Sequence, residues 1–487
     1  MVVFFRGCYP GVGAETGDCG GLVRQNPSPV SSRGIGPCGL CRRCGFAAWP
    51  GLCQTAGSEE FPERSLFKRL CMPASQIDGI PRAFATAVSQ LNPRQESYVP
   101  ELTALILTQA RRYRASDVHL NPCETELQMQ WRIDGVLQTA AGFDREFGSR
   151  LVARLKVIAG LLTYRTDVPQ EGRVAAEFSE SEIRVSTFPT LYGEKAAVRL
   201  FGGNSERQML EQLGLPAESE RCLWQQLLAT SGVLLITGPS SSGKTTTAYA
   251  LIREILRQSA GARCVMTMED PIESAIAGAA QSQVRPAAGF DLAAGLKSMM
   301  RQDPDVIMVG EIRDPATAEA TFQAALTGHL VIATFHAGSA VEALTRLLEM
   351  GLEPYLVRSA LNLVVSQRLL RRSCDCRHSR EGISPARQVS PDKSLSTEGL
   401  SFGCNRCGGT GYLGRMALAE CLDPSFPLVA RSLLARSDSQ ALFAAAEQSG
   451  LVSLKELGER AIRTGETTRE EFLRVFGGRL VLSDSRT

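Results

Sequence analysis

Several features are scarce in this sequence, and each scarcity excludes a class of protein. The net charge is only +2, from 53 basic and 51 acidic residues among 487, so no strong overall field would attract nucleic acid. No apolar run approaches the roughly 18 residues that a membrane span requires. The apolar stretch at residues 1–5, which ends at Arg6, is too short for the hydrophobic segment of a signal peptide, and no charged segment precedes it. We therefore expect a globular protein without a membrane span of its own.

The fifteen cysteines are distributed unevenly along the chain. Seven lie in the first 71 residues, where Gly, Pro and Ser are also frequent, and we predict that residues 1–75 are irregular or disordered. Cys38, Cys41 and Cys44 have the spacing of a metal-binding motif, but no second pair follows at a suitable distance. A separate downstream cluster consists of Cys374, Cys376, Cys404 and Cys407.

Residues 238–245 read Gly-Pro-Ser-Ser-Ser-Gly-Lys-Thr and match the P-loop pattern. The apolar run 233–237 predicts a buried strand before the loop, and residues 246–257 predict a helix after it. In such a unit the glycines let backbone N–H groups face phosphate oxygens, Lys244 reaches the β- and γ-phosphates, and Thr245 binds Mg²⁺. The predicted nucleotide-binding residues are Gly238, Pro239, Ser240, Ser241, Ser242, Gly243, Lys244, Thr245 and Thr246. Binding and hydrolysis of a nucleoside triphosphate, together with the missing signal sequence, favour the cytoplasm.

The apolar pattern also predicts the organisation of the chain. The predicted strands of the P-loop region are 233–237, 263–268, 305–309 and 330–334. Helices are predicted between them, and this alternation is typical of a parallel sheet covered by helices. Residues 356–372 are predicted to form a helix that ends in a basic cluster. The predicted domains are an irregular segment at 1–75, an α+β domain at 76–202, a linker with a helix at 203–230, an ATPase core at 231–372, a cysteine insertion at 373–415 and a helical region at 416–487.

Phosphoryl transfer also needs carboxylates for Mg²⁺ and water, and candidates follow two predicted strands. Glu311 ends the apolar strand at 306–310, where α/β sheets bind ligands. Glu269, Asp270 and Glu273 follow the strand at 263–268, and one of them can orient or deprotonate water. The alternative for either group is an ordinary solvated turn.

His329 and His336 bracket the predicted strand 330–334 and are two of only four histidines. Either side chain can sense the γ-phosphate or hydrogen-bond to an acidic residue. The alternative is a purely structural role, which is common for single histidines.

Four motifs in this order resemble those of the secretion traffic ATPases, the hexameric motors of type II secretion and type IV pilus assembly. They are the P-loop, Glu-Asp-Pro-Ile-Glu at 269–273, Gly-Glu-Ile-Arg-Asp at 310–314, and the histidine segment 327–336. Upstream matches are Ala-Ser-Asp-Val-His at 115–119, Arg-Ile-Asp-Gly-Val at 132–136, Pro-Gln-Glu-Gly-Arg at 169–173 and Arg-Val-Ser-Thr at 184–187. The resemblance covers roughly residues 95–475. It implies an α/β fold, with a RecA-like P-loop ATPase core preceded by a PAS-like α+β domain.

The resemblance also implies roles for individual residues. Glu269 is the expected water-activating carboxylate, and Glu311 the expected partner of Mg²⁺ or its waters. Arg184 and Arg199 resemble the arginines that move onto the γ-phosphate when two domains close, which couples nucleotide state to domain position. For either arginine the alternative is a surface salt bridge.

The cysteine insertion is typical of assembly-type members of this family, whereas the retraction motors lack it. Cys404 and Cys407 have the spacing of one half of a zinc site, but Cys374 and Cys376 are one residue closer than the family's usual pair. We predict that these four cysteines bind Zn²⁺, and His378 could replace one of them as a ligand. The alternative to zinc binding is a decayed site with free thiols.

Three further departures from the family pattern are visible. Ser240-Ser241 replaces the usual Thr-Gly in the P-loop, and the histidine segment ends Phe-His-Ala-Gly at 335–338 instead of Leu-His-Thr-Asn. The domain by which full-length members dock on the platform protein is not recognisable in residues 1–75.

The sequence therefore predicts a cytoplasmic ATPase that uses ATP and Mg²⁺ to power pseudopilus or pilus assembly. The expected partners are further copies of the chain in a homo-hexamer and an inner-membrane platform protein, through which the chain would be peripheral to the membrane. No nucleic acid is expected. The alternatives are a nucleotide-binding scaffold that does not hydrolyse, and a RecA-like motor that translocates nucleic acid, which DNA-stimulated turnover would indicate.

Overall fold

The computed structural model describes residues 80–92, 95–175, 183–200, 209–378, 403–404 and 406–477. The predicted irregular segment 1–75, with Cys38, Cys41 and Cys44, lies outside these residues.

The N-terminal domain is an antiparallel sheet with helices packed on one face. Its elements are α1 (Ile80–Val88), α2 (Tyr98–Arg112), β1 (Ala115–Pro122), β2 (Glu126–Ile133), β3 (Val136–Asp144), α3 (Arg145–Ile158), β4 (Gln170–Arg173), β5 (Ile183–Thr190) and β6 (Gly193–Leu200). The six strands lie in the order β3-β2-β1-β6-β5-β4. Buried and half-buried residues alternate along β2, as expected for a strand with only one face in a core. The face of the sheet that points away from the helices is therefore the more polar one.

An ion pair anchors α3 to the sheet inside this domain. Lys156 is fully buried, and its Nζ donates to both carboxylate oxygens of Glu194 at 2.8 and 2.9 Å and to the carbonyl oxygen of Arg165 at 2.8 Å. All three ammonium protons therefore have acceptors, which a buried charge requires.

The second domain alternates strands and helices, as the sequence predicts. Its elements up to the cysteine segment are α4 (Ala217–Leu227), β7 (Gly232–Thr237), α5 (Lys244–Gln258), β8 (Val265–Glu269), β9 (Ala279–Gln283), α6 (Leu292–Met299), β10 (Val306–Ile312), α7 (Pro315–Leu326), β11 (Leu330–Phe335), α8 (Ala340–Glu349), α9 (Pro354–Ala360) and β12 (Leu361–Ser373). Every residue of β7 and of β11 is buried, because helices cover both faces of a parallel sheet.

The cysteine segment and the C-terminal region complete the chain. Their elements are α10 (Asp375–His378), β13 (Tyr412–Leu422), α11 (Pro427–Leu434), α12 (Ser439–Gln448), α13 (Leu454–Arg463) and α14 (Arg469–Phe476). The seven strands of the second sheet lie in the order β13-β12-β7-β11-β10-β8-β9, and only β13 is antiparallel to its neighbour. No helix within these described ranges is long and apolar enough to cross a membrane.

The predicted helix at 356–372 is wrong over most of its length. A short helix ends at Ala360, and Leu361–Ser373 is a strand that pairs with β7 on one side and β13 on the other. The apolar run with Val364 and Val365 suits a buried strand, but a short run of this kind is ambiguous between helix and strand. The deciding partner, β13, lies 39 residues further on (412 minus 373) and was itself not predicted.

Glu420 on β13 joins the sheet to two helices. Its carboxylate oxygens accept from the backbone N–H of Ala340 at 2.6 Å and of Leu454 at 2.9 Å, the first residues of α8 and α13. Burial raises the pKa of Glu420, although both N–H groups oppose that effect. The C-terminal helices are therefore fixed to the nucleotide-binding sheet.

The two domains contact each other through a turn of the first sheet. Asp134, in the turn between β2 and β3, accepts from the backbone N–H of Gly414 at 3.0 Å, and Arg415 lies 4.0 Å from the same carboxylate. The contact is made at the start of β13, directly after the cysteine segment.

Candidate nucleotide site and cysteine cluster

The P-loop connects β7 to α5 and has the backbone conformations that its glycines permit. Gly238 and Gly243 have φ of +149° and +92°, and a Cβ at Gly238 would lie 2.5 Å from the carbonyl oxygen of Gln367. Ser241 also has a positive φ, +61°, although it carries a side chain. Ser241, where the family usually has glycine, therefore adopts a left-handed conformation that glycine takes up without a steric cost.

Lys244 begins α5 and lies inside the loop. Its Nζ donates to the carbonyl oxygens of Gly238 and Pro239, at 2.9 Å each, and burial lowers its pKa. The half-buried Thr245 follows at the N-terminus of the helix. An ammonium group, a hydroxyl group and the positive end of a helix dipole thus meet at one place, which suits a triphosphate with Mg²⁺.

Gln367 supports this loop from β12. Its Nε2 donates to Thr247 Oγ1 of α5 at 3.0 Å, and its side chain is 1% exposed. The sequence did not suggest this residue, because it lies in the segment that was predicted to be helical.

Glu311 is the centre of a polar network at the end of β10. One of its oxygens lies 2.6 Å from His336 Nε2, and the other accepts from Arg313 at 3.0 and 3.1 Å. Arg313 also donates to Asp270 Oδ2 at 3.1 Å. The strand tip and the acidic loop at 269–273 are therefore joined, as expected for neighbouring ends of parallel strands.

His336 connects that network to the P-loop. Its Nδ1 lies 3.2 Å from the carbonyl oxygen of Gly238, and its Nε2 contacts Glu311. Both partners present oxygen atoms to the ring, so His336 bridges the backbone of the P-loop and the end of β10.

His329 lies at the opposite end of the same strand. Its Nδ1 is 2.8 Å from the carbonyl oxygen of Ala324 and 3.2 Å from Thr327 Oγ1. The six residues of β11 lie between it and His336, so seven steps of about 3.3 Å put the two residues roughly 23 Å apart. The structure thus brings His336 to the P-loop and places His329 at the opposite end of the strand, away from the P-loop.

Glu269 is the most enclosed of the predicted carboxylates. It is 2% exposed, and its oxygens accept from Tyr249 Oη, from Thr267 Oγ1 at 2.5 Å and from Gln281 Nε2 at 3.0 Å. Burial and the bond to Glu269 raise the pKa of Tyr249. Glu273, four residues later on the same loop, is exposed.

Arg184 and Arg199 lie directly opposite each other on β5 and β6 of the N-terminal domain. Arg199 Nε contacts Asp117 Oδ1 at 3.2 Å, and Arg132 lies 3.6 Å from the other oxygen of that carboxylate. The cross-strand partners continue to Arg173 on β4, so four arginines and one aspartate form a row across the sheet. The two predicted arginines are therefore part of a larger basic surface.

The four predicted cysteine ligands converge. Their sulfur atoms all lie within 4.8 Å of one another, with 3.8 Å between Cys374 and Cys404 and 3.9 Å between Cys376 and Cys407. Tetrahedral Zn²⁺ with bonds of about 2.3 Å requires sulfur separations of about 3.8 Å. The residues fit the metal despite the shortened first pair. The side chain of His378, the alternative ligand, lies outside the part of the chain that the structure describes.

Backbone N–H groups face two of the four sulfur atoms, whereas burial raises the pKa of Cys374 and Cys376. Cys407 Sγ accepts from the N–H of Cys404 at 3.1 Å and of Gly411 at 3.3 Å. The backbone N–H of Cys407 lowers the pKa of Cys404 to about 7. N–H groups that face a sulfur favour its thiolate form, which is the form that binds metal.

A buried carboxylate fastens the last helix beside the cluster. Glu471 is fully buried and accepts from Arg371 Nε at 2.8 Å and from Arg474 at 2.6 and 2.7 Å. Burial opposes its ionisation, but the bonds from Arg474 and Arg371 outweigh this effect and lower its pKa. Arg371 also stacks on the ring of Tyr412 at 3.9 Å.

A P-loop between a buried strand and a helix, next to an acidic strand tip on a parallel sheet, defines a P-loop nucleotide-binding protein. The family described as type II/IV secretion system protein matches residues 92–474, and this chain belongs to it. The resemblance seen in the motifs is thereby confirmed.

Individual relatives agree with this assignment. The chain is 40% identical over 375 residues to the type II secretion system protein HxcR of Pseudomonas aeruginosa, covering 76% of each chain. It is 38% identical over 393 residues to the type II secretion system ATPase E of Vibrio cholerae, covering 79% of this chain and 76% of that protein. The structure of the Legionella pneumophila ATPase DotB is similar with a TM-score of 0.57 and 20% identity, covering 78% of this chain and 96% of that chain. This last likeness supports the fold alone.

Proposed function

We propose that this chain hydrolyses ATP with Mg²⁺ to power pseudopilus or pilus assembly in a type II secretion or type IV pilus machine. The observation that carries the proposal is the junction of P-loop and acidic network: His336 contacts both Gly238 and Glu311, and Arg313 joins Glu311 to the acidic loop. Relatives named as secretion and pilus assembly ATPases support it.

The chain's own residues have distinct tasks in this proposal. Lys244 and the loop N–H groups bind the β- and γ-phosphates, and Thr245 with Glu311 holds Mg²⁺ or its waters. When bound, Mg²⁺ neutralises charge that develops on the phosphate oxygens. His336 and Arg313 hold Glu311 in place between the P-loop and Asp270.

Two carboxylates of the acidic loop, Glu269 and Glu273, are candidates for activating water. Glu269 was the predicted residue, but its oxygens are occupied by three donors and it is 2% exposed. A general base must reach the water that it deprotonates. We therefore assign water activation to the exposed Glu273 of the same loop, and a positioning role to Glu269.

Three parts of the proposal concern assembly and domain movement. We propose a ring of six copies in which Arg184 and Arg199, on the basic row of the PAS-like N-terminal domain, reach the γ-phosphate as domains close. Zn²⁺ at the four cysteines would stabilise the insertion. The ring would act on an inner-membrane platform protein, from the cytoplasmic side.

The test is Mg²⁺-ATP turnover by the full chain beside Lys244→Ala, with and without DNA, at concentrations that allow ring formation. We expect turnover that disappears in the variant and does not respond to DNA. ATP binding without turnover would instead support a scaffold, and stimulation by DNA would support a nucleic-acid motor. The mass of the assembly in solution, measured by light scattering with nucleotide, tests the ring.

A further inference from the structure

One side chain of the P-loop helix touches the acidic loop at two points. Tyr249 lies on α5, five residues after Lys244, and is 3% exposed. Its hydroxyl donates to Glu269 Oε2 and accepts from the backbone N–H of Glu273 at 3.2 Å. The hydroxyl therefore connects the first and the last residue of the Glu-Asp-Pro-Ile-Glu segment to the helix that carries Lys244.

Gln281 on β9 holds the same loop from the other side. Its Nε2 donates to Glu269 Oε1 and to the carbonyl oxygen of Ser274, both at 3.0 Å. Its Oε1 accepts from the backbone N–H of Ile276 at 2.6 Å. Both polar ends of this side chain are engaged with residues of the loop, so the path of residues 269–276 is fixed at each end.

The protonation states of these groups agree with such a role. The raised pKa of Tyr249 keeps the phenol protonated, so it donates to the carboxylate and leaves a lone pair for the N–H of Glu273. A buried carboxylate with three donors is held firmly, because each lost donor leaves an acceptor without a partner. Glu269 is thus a fixed point to which helix, strand and loop are all bound.

We propose that Tyr249 is a positioning residue for hydrolysis, which holds Glu273 in register with the phosphates that Lys244 binds. The inference rests on the proposed ATPase function. Because a displacement of about 1 Å can slow a reaction by about a hundredfold, a small shift of the loop would affect the chemical step more than nucleotide binding.

The change Tyr249→Phe removes only the hydroxyl and keeps the ring, which packs in the core and lies 5.7 Å from the guanidinium of Arg253. Nucleotide affinity depends on the P-loop, which this change does not touch. We expect kcat to fall by about tenfold or more, with KM and ATP affinity within about twofold of wild type. The control is Tyr355→Phe on α9, whose side chain is 67% exposed and which should match the wild type.

The measurement is kcat and KM for Mg²⁺-ATP in the full chain, with ATP binding followed separately by fluorescence titration. Gln281→Met, which removes the opposite support, should give the same split and serves as the test if Tyr249→Phe folds poorly. The double variant should be little slower than the slower single variant, since both act through Glu269. Unchanged kcat in Tyr249→Phe, or an equal loss of ATP affinity, would overturn the inference while leaving the ATPase proposal intact. A wild type that binds ATP without turnover would overturn both.

Discussion

Ser241 offers a direct test of the backbone conformation of the P-loop. Its φ of +61° lies in the left-handed region, where an L-residue with a Cβ costs roughly 1–2 kcal/mol. Glycine at this position has no such cost, but it loses about 0.5–1 kcal/mol more conformational entropy on folding. The difference predicts that Ser241→Gly raises the free energy of unfolding by about 0.5–1 kcal/mol.

The neighbouring residue provides a matched control. Ser240 is also exposed but is not among the positive-φ residues of the described chain, so Ser240→Gly should only lose entropy and be destabilised by about 0.5–1 kcal/mol. The two variants should thus differ by about 1–2 kcal/mol, with opposite signs relative to wild type. Since neither serine is buried, little packing is lost in either variant.

The assay is urea unfolding of the full chain and of both variants, followed by circular dichroism. Because the free energy of unfolding falls by about 1–3 kcal/mol per M of urea, a difference of about 1–2 kcal/mol shifts the unfolding midpoint by roughly 0.3–2 M. The reasoning is refuted if Ser241→Gly is no more stable than Ser240→Gly, because the left-handed strain would then not exist in solution.

Metal analysis of the purified chain should find about one zinc per chain, lost in Cys404→Ser; a stable wild type without metal would contradict the cluster's role. Glu471→Gln should lower the free energy of unfolding by about 3 kcal/mol at pH 7, since it removes the charge between two arginines. Folding lowers the pKa of Glu471, so the stabilisation from its charge is complete above the ordinary pKa of 4.5 and is lost as pH falls through the lower pKa of the folded state. The difference in stability between wild type and variant should therefore shrink in acid. A difference that stays constant with pH would argue against the ion pair. Arg184→Ala should slow ATP turnover more than tenfold with a smaller effect on ATP affinity, and unchanged turnover would remove Arg184 from the mechanism.

The sequence predicted the elements that carry their own local signal. The P-loop and the strand that carries Glu311 each depend on residues close together in the chain, and the four cysteines form two closely spaced pairs. The geometry of the cysteines adds one result, since Cys374 and Cys376, although closer in sequence than the family's usual pair, lie 3.8 Å from Cys404 and 3.9 Å from Cys407 respectively, with all four sulfurs within 4.8 Å of one another.

What the sequence did not predict depends on distant partners. β12 was taken for a helix because its apolar run has no clear period, and only the pairing with β7 and β13 makes it a strand. Tyr249, Gln281 and Gln367 have no motif of their own, and they matter because folding brings them against the acidic loop or the P-loop. His329 and His336 flank the same predicted strand, so the sequence does not distinguish them. In the fold they lie at opposite ends of β11, and only His336 lies at the end next to the P-loop.

The position of the cysteine insertion within the sheet limits how much the insertion costs the fold. It spans residues 374–411, that is 38 residues, between Ser373 and Tyr412, which are paired across β12 and β13. Closing so long a connection instead of a four-residue turn costs only about 2 kcal/mol, since loop entropy grows with the logarithm of length. A bound zinc ion contributes far more than that, roughly 10 kcal/mol or more in small zinc domains.

The insertion therefore occupies the tip of the hairpin formed by β12 and β13. Both ends leave the sheet at adjacent positions, so exchanging the insertion for a tight turn preserves the register from Val364 to Arg371. We therefore expect the nucleotide-binding sheet to tolerate changes in the length and composition of residues 374–411.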